Sequence, residues 1–468
     1  MIKFLKLLLL NLSFLAALAA QKPNVLLICI DDLRPELKSF GAEYIHSPNI
    51  DKLSHEGRAF THHYTNAPTC GASRYTLLTG RYGPTHNRAL FDRAKRLQES
   101  TTEETATLPR WFRDNGYTTV SGGKVSHHPG GLGGQDWNDP TKIEMPGDWD
   151  RHLMPSGPWQ HPRGAMHGLA NGNSREVPKN HDVFEAFDGN DNSYPDGLIT
   201  SEAIDQLSQL AKDDQPFFLA VGLIRPHLPF GAPKKYLDLY TDSELPPIAH
   251  PNKPSHRTTW HGSGEFRRYN LWDRDPLTDQ EFRDDVRRHY AACVSYADAQ
   301  VGKLIDHLNQ TGMADNTIIM LWGDHGWHLG EHAIWGKHAL FEESLRSPLI
   351  IHTPDITLLG KQSDAIVETV DIFPTLCDLA EIETPDFVTG RSLLPQIQDP
   401  LTAGHSAIAY KKDAQTIRTK DFRLILHKDG YAELYDHRQP DAETKNLALE
   451  NPKIVKKLST KLKDNLNE

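Results

Sequence analysis

Five short runs, 25–30 (VLLICI), 118–121, 217–221, 317–321 and 349–352, are apolar or rich in β-branched residues, and four of them lack a polar alternate. That is the pattern of strands buried on both faces. Between them, apolar residues recur at helical spacing over 47–57, 108–115, 198–211, 284–309 and 371–380. The alternation predicts an α/β fold in which helices flank a large mixed, mostly parallel sheet. In such a sheet the chemistry gathers beyond the carboxyl ends of the strands. Polar clusters stand at those places: Asp31-Asp32 after the first run, Gly122-Gly123-Lys124 after the second, Arg225-Pro226-His227 after the third and Gly323-Asp324-His325 after the fourth. All four converge on one sheet edge.

Two stretches, 137–194 and 241–275, are rich in Gly, Pro, Asn, Asp, His and Trp and show little periodicity. Loops of that length in a compact domain are usually functional, and here they are expected to overhang the same edge and select the substrate. After about residue 395 the pattern changes to short alternating strands at 417–420, 422–427 and 432–436, then a Lys-rich helix over 452–466. The expected organisation is a leader at 1–20, a catalytic domain at 21–395 and a smaller C-terminal α+β subdomain, a small antiparallel sheet and a helix, at 396–468.

The leader reads MIKFLKLLLLNLSFLAALAA: Lys3 and Lys6, an apolar stretch, then small residues. This is the order of a cleavable signal peptide, so the protein is expected to be exported, secreted or periplasmic. No later stretch approaches the roughly 20 apolar residues of a membrane span, and no stable membrane anchor is expected. Charged residues make up 24% of the chain, with a net charge of −11 spread along it, which recommends no nucleic-acid partner. An acidic protein must attract an anionic substrate locally. The four cysteines, Cys29, Cys70, Cys293 and Cys377, have no paired spacing and define no disulfide framework. Cys29 and Cys377 read as core thiols.

Adjacent carboxylates such as Asp31 and Asp32 repel unless a cation lies beside them. Oxygen ligands suit calcium or magnesium, and Asp324 supplies a third carboxylate. In PTCGASRYTLLTGR, a helix over 71–78 puts Cys70 near a helix N-terminus, where free N–H groups favour an anion, and points Arg74 at the same spot. A cation, a helix N-terminus and a guanidinium around one side chain describe a site for a tetrahedral oxyanion and its nucleophile.

Cys70-Gly71-Ala72-Ser73-Arg74 with Leu78-Thr79-Gly80-Arg81 resembles the signature of the formylglycine-dependent sulfatases of the alkaline phosphatase-like superfamily. NVLLICIDDLRPELKSFGAEYIHSPNIDKL, SGGKVSHHPG, FFLAVGLIRPHLPF and TIIMLWGDHGWHLGEH with WGKH resemble the iduronate-2-sulfatase branch. Many members carry Pro where this chain has Ala72, a variant similar to bacterial forms. The resemblance implies that a maturation enzyme converts Cys70 to formylglycine (3-oxoalanine), whose hydrate attacks sulfur and later expels sulfate. It also implies one Ca2+ ion held by Asp31, Asp32, residue 70, Asp324 and His325, with a supporting role as the alternative for His325. Lys124 and Lys337 would hold sulfate oxygens, His127 and His227 would move protons, and Arg74 would brace residue 70. His328, Glu331, His332 and His338 crowd the same region; a rim of substrate contacts is the favoured reading and a transition-metal site the lesser one.

The expected activity is therefore that of a sulfuric ester hydrolase (a sulfatase) with a sulfated oligosaccharide or polysaccharide as substrate. Exo action on algal material such as ulvan or fucoidan, or on glycosaminoglycan, is the expected mode. The rivals are a phosphomonoesterase or phosphodiesterase of the same superfamily, and a carbohydrate-binding pseudoenzyme in which Cys70 stays a thiol.

Overall fold

Asn24–Ile30 (β1) is buried at every position, and its side chains divide between two cores. Leu26, Ile28 and Ile30 face one, while Val25, Leu27 and Cys29 face the other. This period of two on a strand wet on neither side is what a central parallel strand requires. The structure, a computed structural model, describes residues 22–99, 105–129, 143–175, 177–439 and 443–467. The leader at 1–20 and the first six residues of the 137–194 stretch lie outside the described residues.

Around β1, strands β2 (Arg58–Tyr64), β3 (Thr118–Gly123), β4 (Arg151–Leu153), β6 (Phe217–Leu223), β8 (Thr317–Gly323), β11 (Leu349–His352) and β12 (Ser363–Glu368) complete one sheet. Its order is β12-β2-β11-β8-β1-β6-β3-β4. Every pairing is parallel except the two that β11 makes, with β2 and with β8. Two short ribbons stand apart from it, β5 (Phe184–Phe187) with β7 (Phe230–Pro233), and β9 (His328–Leu329) with β10 (Trp335–Gly336). The helices Pro48–Glu56, Pro195–Leu210 and Gln280–Gln310 cover one face through residues such as Leu53, Leu207 and Leu304. The helices Cys70–Thr79, Leu108–Asp114 and Ile372–Leu379 cover the other through Leu77, Phe112 and Phe373.

The expected strands are present, but β2, β4 and β12 were not anticipated. RAFTHHY in β2 carries too many polar residues to read as a buried strand. It is buried because His63 is satisfied inside the protein, through the Ser347 carbonyl and the Thr369 hydroxyl. Towards the C-terminus an antiparallel meander runs β13 (Ala407–Lys411), β14 (Ala414–Arg418), β15 (Phe422–His427) and β16 (Ala432–Asp436). The strand expected at 417–420 is thus β14, shifted towards the N-terminus, and β13 is additional. Helix Pro452–Asn467 packs Leu458 and Leu462 on this sheet, in a core that also takes in Ala67 and Ala72 beside Cys70. All four cysteines are free and buried.

Candidate active site

In the row β8-β1-β6-β3, four neighbouring parallel strands deliver the four polar clusters to one edge. Ile30 and Gly323 are register partners, so Asp31-Asp32 and Asp324-His325 emerge side by side. Lys124 leaves β3 and lies against β6 because position 222 is glycine: a Cβ there would meet the Lys124 carbonyl carbon at 2.1 Å. The Lys124 ammonium pairs with Asp31.

Cys70 is the first residue of a ten-residue helix buried along its whole length. The side-chain oxygen of Asn87 accepts from the Gly71 N–H at 2.9 Å, satisfying one of the free donors of the helix end. The Cys70 sulfur lies 3.2 Å from His325 Nε2 and 3.3 Å from Lys337 Nζ. Lys337 also donates to both Asp32 oxygens, at 2.8 and 3.0 Å. Arg74, one turn along the helix, reaches Asp31 at 3.3 Å and Asp324 at 3.1 Å, and donates to the Val125 carbonyl at 3.0 Å. It ties the helix, β1, β8 and the Lys124 turn together with a single planar fork.

Three buried carboxylates are thus interleaved with three buried cations. Burial works to raise the Asp31 carboxyl, but the Lys124 ammonium and the Arg74 guanidinium overcome it and hold Asp31 well below the usual carboxylate range. Burial pushes Asp32 well up despite Lys337, with Asp31 adding to the effect, and lifts Asp324 to about 7. Burial outweighs the Lys337 and Arg74 charges at these two carboxyls, an imbalance that a hard divalent ion relieves. Asp31, Asp32, Cys70 and His325 each offer an atom within 4.8 Å of the others. This group fits a metal ion; the expected ligand Asp324 stands outside it, its oxygens taken by the Asp32 N–H at 2.9 Å and by Arg74 at 3.1 Å. Burial, and after it Asp31, raises the Cys70 thiol well above its ordinary value, so neither the helix end nor the lysines make it a thiolate.

Above this floor opens a cavity of about 360 Å³ whose wall includes Lys124, His127, His227, Lys337 and His338. The His227 ring donates through Nδ1 to the Leu228 carbonyl at 2.6 Å, leaving Nε2 towards Asp32 and Glu265 at 3.9 and 3.6 Å. His127 keeps a buried Nδ1 without a partner. Burial first, then Lys124, holds both imidazoles well below their ordinary pKa, so both are neutral bases.

Both insertions reach the cavity, Arg163, His167 and Arg175 from the first and His261, Glu265 and Arg268 from the second. None of these was singled out from sequence. Glu265 sits 3.6 Å from Lys337 and 3.7 Å from His338, and nothing in its GSGEFRR setting announces that. The expected rim of substrate contacts needs correction: His338 lines the cavity, but His328 and His332 are buried elsewhere, and Glu331 pairs with Arg34 at 2.9 Å.

Residues 23–382 match the Sulfatase family model, and residues 330–468 match that of N-sulphoglucosamine sulphohydrolase, C-terminal. A sulfatase of Formosa agariphila is 30% identical over 460 residues, 91% of this chain and 83% of that protein. Iduronate 2-sulfatase of Homo sapiens is 32% identical over 405 residues, 77% of this chain and 70% of that protein. A solved structure of a protein in complex with its substrate D-glucosamine-2-N,6-O-disulfate superposes with a TM-score of 0.73 at 22% identity, covering 95% of this chain and 97% of that one. The fold, the strand-end constellation and these likenesses agree: the chain belongs to the sulfatase family and is a sulfuric ester hydrolase.

Proposed function

We propose that this enzyme removes sulfate from a terminal sulfated sugar, with Cys70 matured to formylglycine and one calcium ion at Asp31, Asp32, residue 70, Asp324 and His325. The observation that carries the reading is the position of Cys70, at a buried helix N-terminus between His325 and Lys337, on the floor of a cavity with basic walls. When present, formylglycine supplies an oxygen nucleophile and the calcium ion a Lewis acid that draws charge from the sulfate oxygens. The chain's own residues do the rest. Lys124 and Lys337 hold sulfate oxygens, and Arg74 keeps residue 70 and the carboxylates in register. His127 and His227, both neutral, hold or give protons at the nucleophile and at the leaving sugar oxygen.

A sugar substrate is supported by the human relative, named for iduronate 2-sulfate chemistry, and by the neighbour that binds a glucosamine disulfate. Arg163, Arg175 and Arg268 on the cavity wall suit a second anionic group, a uronate carboxylate or another sulfate. Walls from both insertions favour a chain end over the middle of a polymer. Export through the 1–20 leader and a dedicated maturation enzyme as partner belong to the same proposal.

The test is peptide mass spectrometry across Cys70 on protein coexpressed with a maturation enzyme, paired with sulfate release from a panel of sulfated oligosaccharides. The expected result is a loss of about 18 Da at that peptide, thiol to aldehyde, with sulfate freed from chain ends. An unmodified thiol with retained sugar binding would favour the pseudoenzyme. Turnover of phosphate esters in place of sulfate esters would favour the phosphatase reading.

A further inference from the structure

His328 and His332 are almost fully buried, at 0% and 1% exposure, and the Nε2 atom of each has no hydrogen-bond partner. Both point at one atom, Glu343 Oε2, which is also unpartnered: 3.5 Å from His328 and 3.8 Å from His332. Glu443, 2% exposed, brings a second carboxylate, so that His332, Glu343 and Glu443 each offer a ligand atom within 4.8 Å of the others. Three orphaned polar atoms around one point are costly to bury unless something joins them.

We propose that His332, Glu343 and Glu443 form a second metal site, distinct from the Asp31–Asp32 site, that takes a divalent transition ion of the zinc class, with His328, 3.5 Å from the Glu343 oxygen, closing in as the fourth donor when the ion binds. Two imidazole nitrogens and two carboxylates are a zinc-type donor set, unlike the oxygen-rich set a calcium ion prefers. Ligand atoms about 2 Å from a tetrahedral ion lie about 3.3 Å apart, and the two His–Glu343 separations are close to that edge length. The outer contacts also suit a metal: His328 donates through Nδ1 to the Gly336 carbonyl at 3.1 Å, which fixes the tautomer with the Nε2 lone pair facing inward.

The charge balance agrees. Glu443 already has the Arg423 guanidinium and the Glu342 N–H, whereas among the described residues Glu343 has no Lys or Arg within ion-pairing reach, only these two imidazoles. Burial lowers His328 to about 3 and, with Glu331 and Glu443, raises Glu343 to about 8, so neutral imidazoles face a carboxyl that lacks a positive partner. The Glu343 side chain is 17% exposed, which leaves an entry path for an ion.

An ion here would clamp the β9–β10 ribbon to Glu343 and to Glu443 beyond the small sheet. The residue after that ribbon is Lys337, whose ammonium reaches Asp32 and Cys70. The site would be structural, holding a sulfate-binding lysine in place from outside the cavity.

The experiment uses the full chain carrying Cys70→Ala, which removes the one thiol that could bind zinc at the active site. Protein saturated with calcium is dialysed against Zn2+ or Co2+, freed of loose ion, and its metal counted by mass spectrometry. About one equivalent should remain, with the strong visible absorption of tetrahedral Co2+ and a raised melting temperature. Occupancy should fall at least tenfold on adding Glu343→Gln or His332→Gln, and stay unchanged on adding Asp31→Asn. Less than a tenth of an equivalent in the Cys70→Ala protein, the weak spectrum of octahedral Co2+, or full occupancy in both added variants would overturn the site. Because Cys70→Ala alone gives the count and the spectrum, the test survives misfolding of a further variant.

Discussion

The Cys70 sulfur sits 3.2 Å from Nε2 of His325, although 255 positions separate the two in the chain. The contact joins the N-terminus of a buried helix to the carboxyl end of β8, and it needs the helix to lie across that end of the sheet. Cys70→Ala should abolish sulfate release while changing stability by only about 1 kcal/mol, the scale for one small buried group. Retained sulfate release in this variant would remove residue 70 from the chemistry.

Arg74 is fully buried between Asp31 and Asp324. Arg74→Met leaves two buried carboxylates without their partner, and unfolding by denaturant should show a loss of about 3–5 kcal/mol. Arg74→Lys should recover little of it, because an ammonium cannot fork between two carboxylates and the Val125 carbonyl. Wild-type stability in the Met variant would mean that the carboxylates are neutralised in some other way.

Glu265 touches His227, Lys337 and His338 from the second insertion. Glu265→Gln should lower kcat/KM for sulfate esters by about 10²-fold, the lower scale for a group that governs proton transfer. Its melting temperature should hold, since the side chain is 28% exposed. An unchanged pH–rate profile would reduce Glu265 to a piece of wall.

Gly222→Ala tests the approach of β6 to the Lys124 turn, where a Cβ would meet backbone at 2.1 Å. Overpacking of this kind costs about 1–3 kcal/mol, and moving Lys124 should lower activity more than the stability loss accounts for. Full activity would show that the turn can shift without consequence.

His405 lies 2.7 Å from Asp371 and 3.4 Å from Glu368, between the large sheet and β13. Burial works against its proton, but Asp371, with Glu368 behind it, raises the imidazole from 6.5 to about 9. A folded pKa above the unfolded one gives stability that is complete below pH 6.5 and is lost as pH rises through 9. Melting temperature should therefore fall between pH 7 and pH 10 more steeply in the wild type than in His405→Gln. Parallel curves for the two would contradict the charged pair.

The central strands and the chemistry at their ends were legible because both are local properties of the sequence. An apolar run followed at once by Asp31-Asp32 or Asp324-His325 states burial and exit in consecutive residues, and a parallel sheet turns such exits into one site. The helix beginning at Cys70 was readable for the same reason. Strand β2 was not, because whether His63 is a buried partner or a surface residue depends on Ser347 and Thr369, which lie hundreds of positions away.

Local pattern along the chain thus carries the sheet's core, the family signature around Cys70 and the polar groups that leave the strands. The tertiary structure alone decided which loop residues face the cavity and which histidines of the 328–338 segment do not. Glu265, Arg163, Arg175 and Arg268 lie in stretches without periodicity, where no repeat of apolar positions says which side chain turns inward. His328 and His332 left the expected rim because the β9–β10 ribbon turns their rings towards Glu343, a choice made by packing between distant segments.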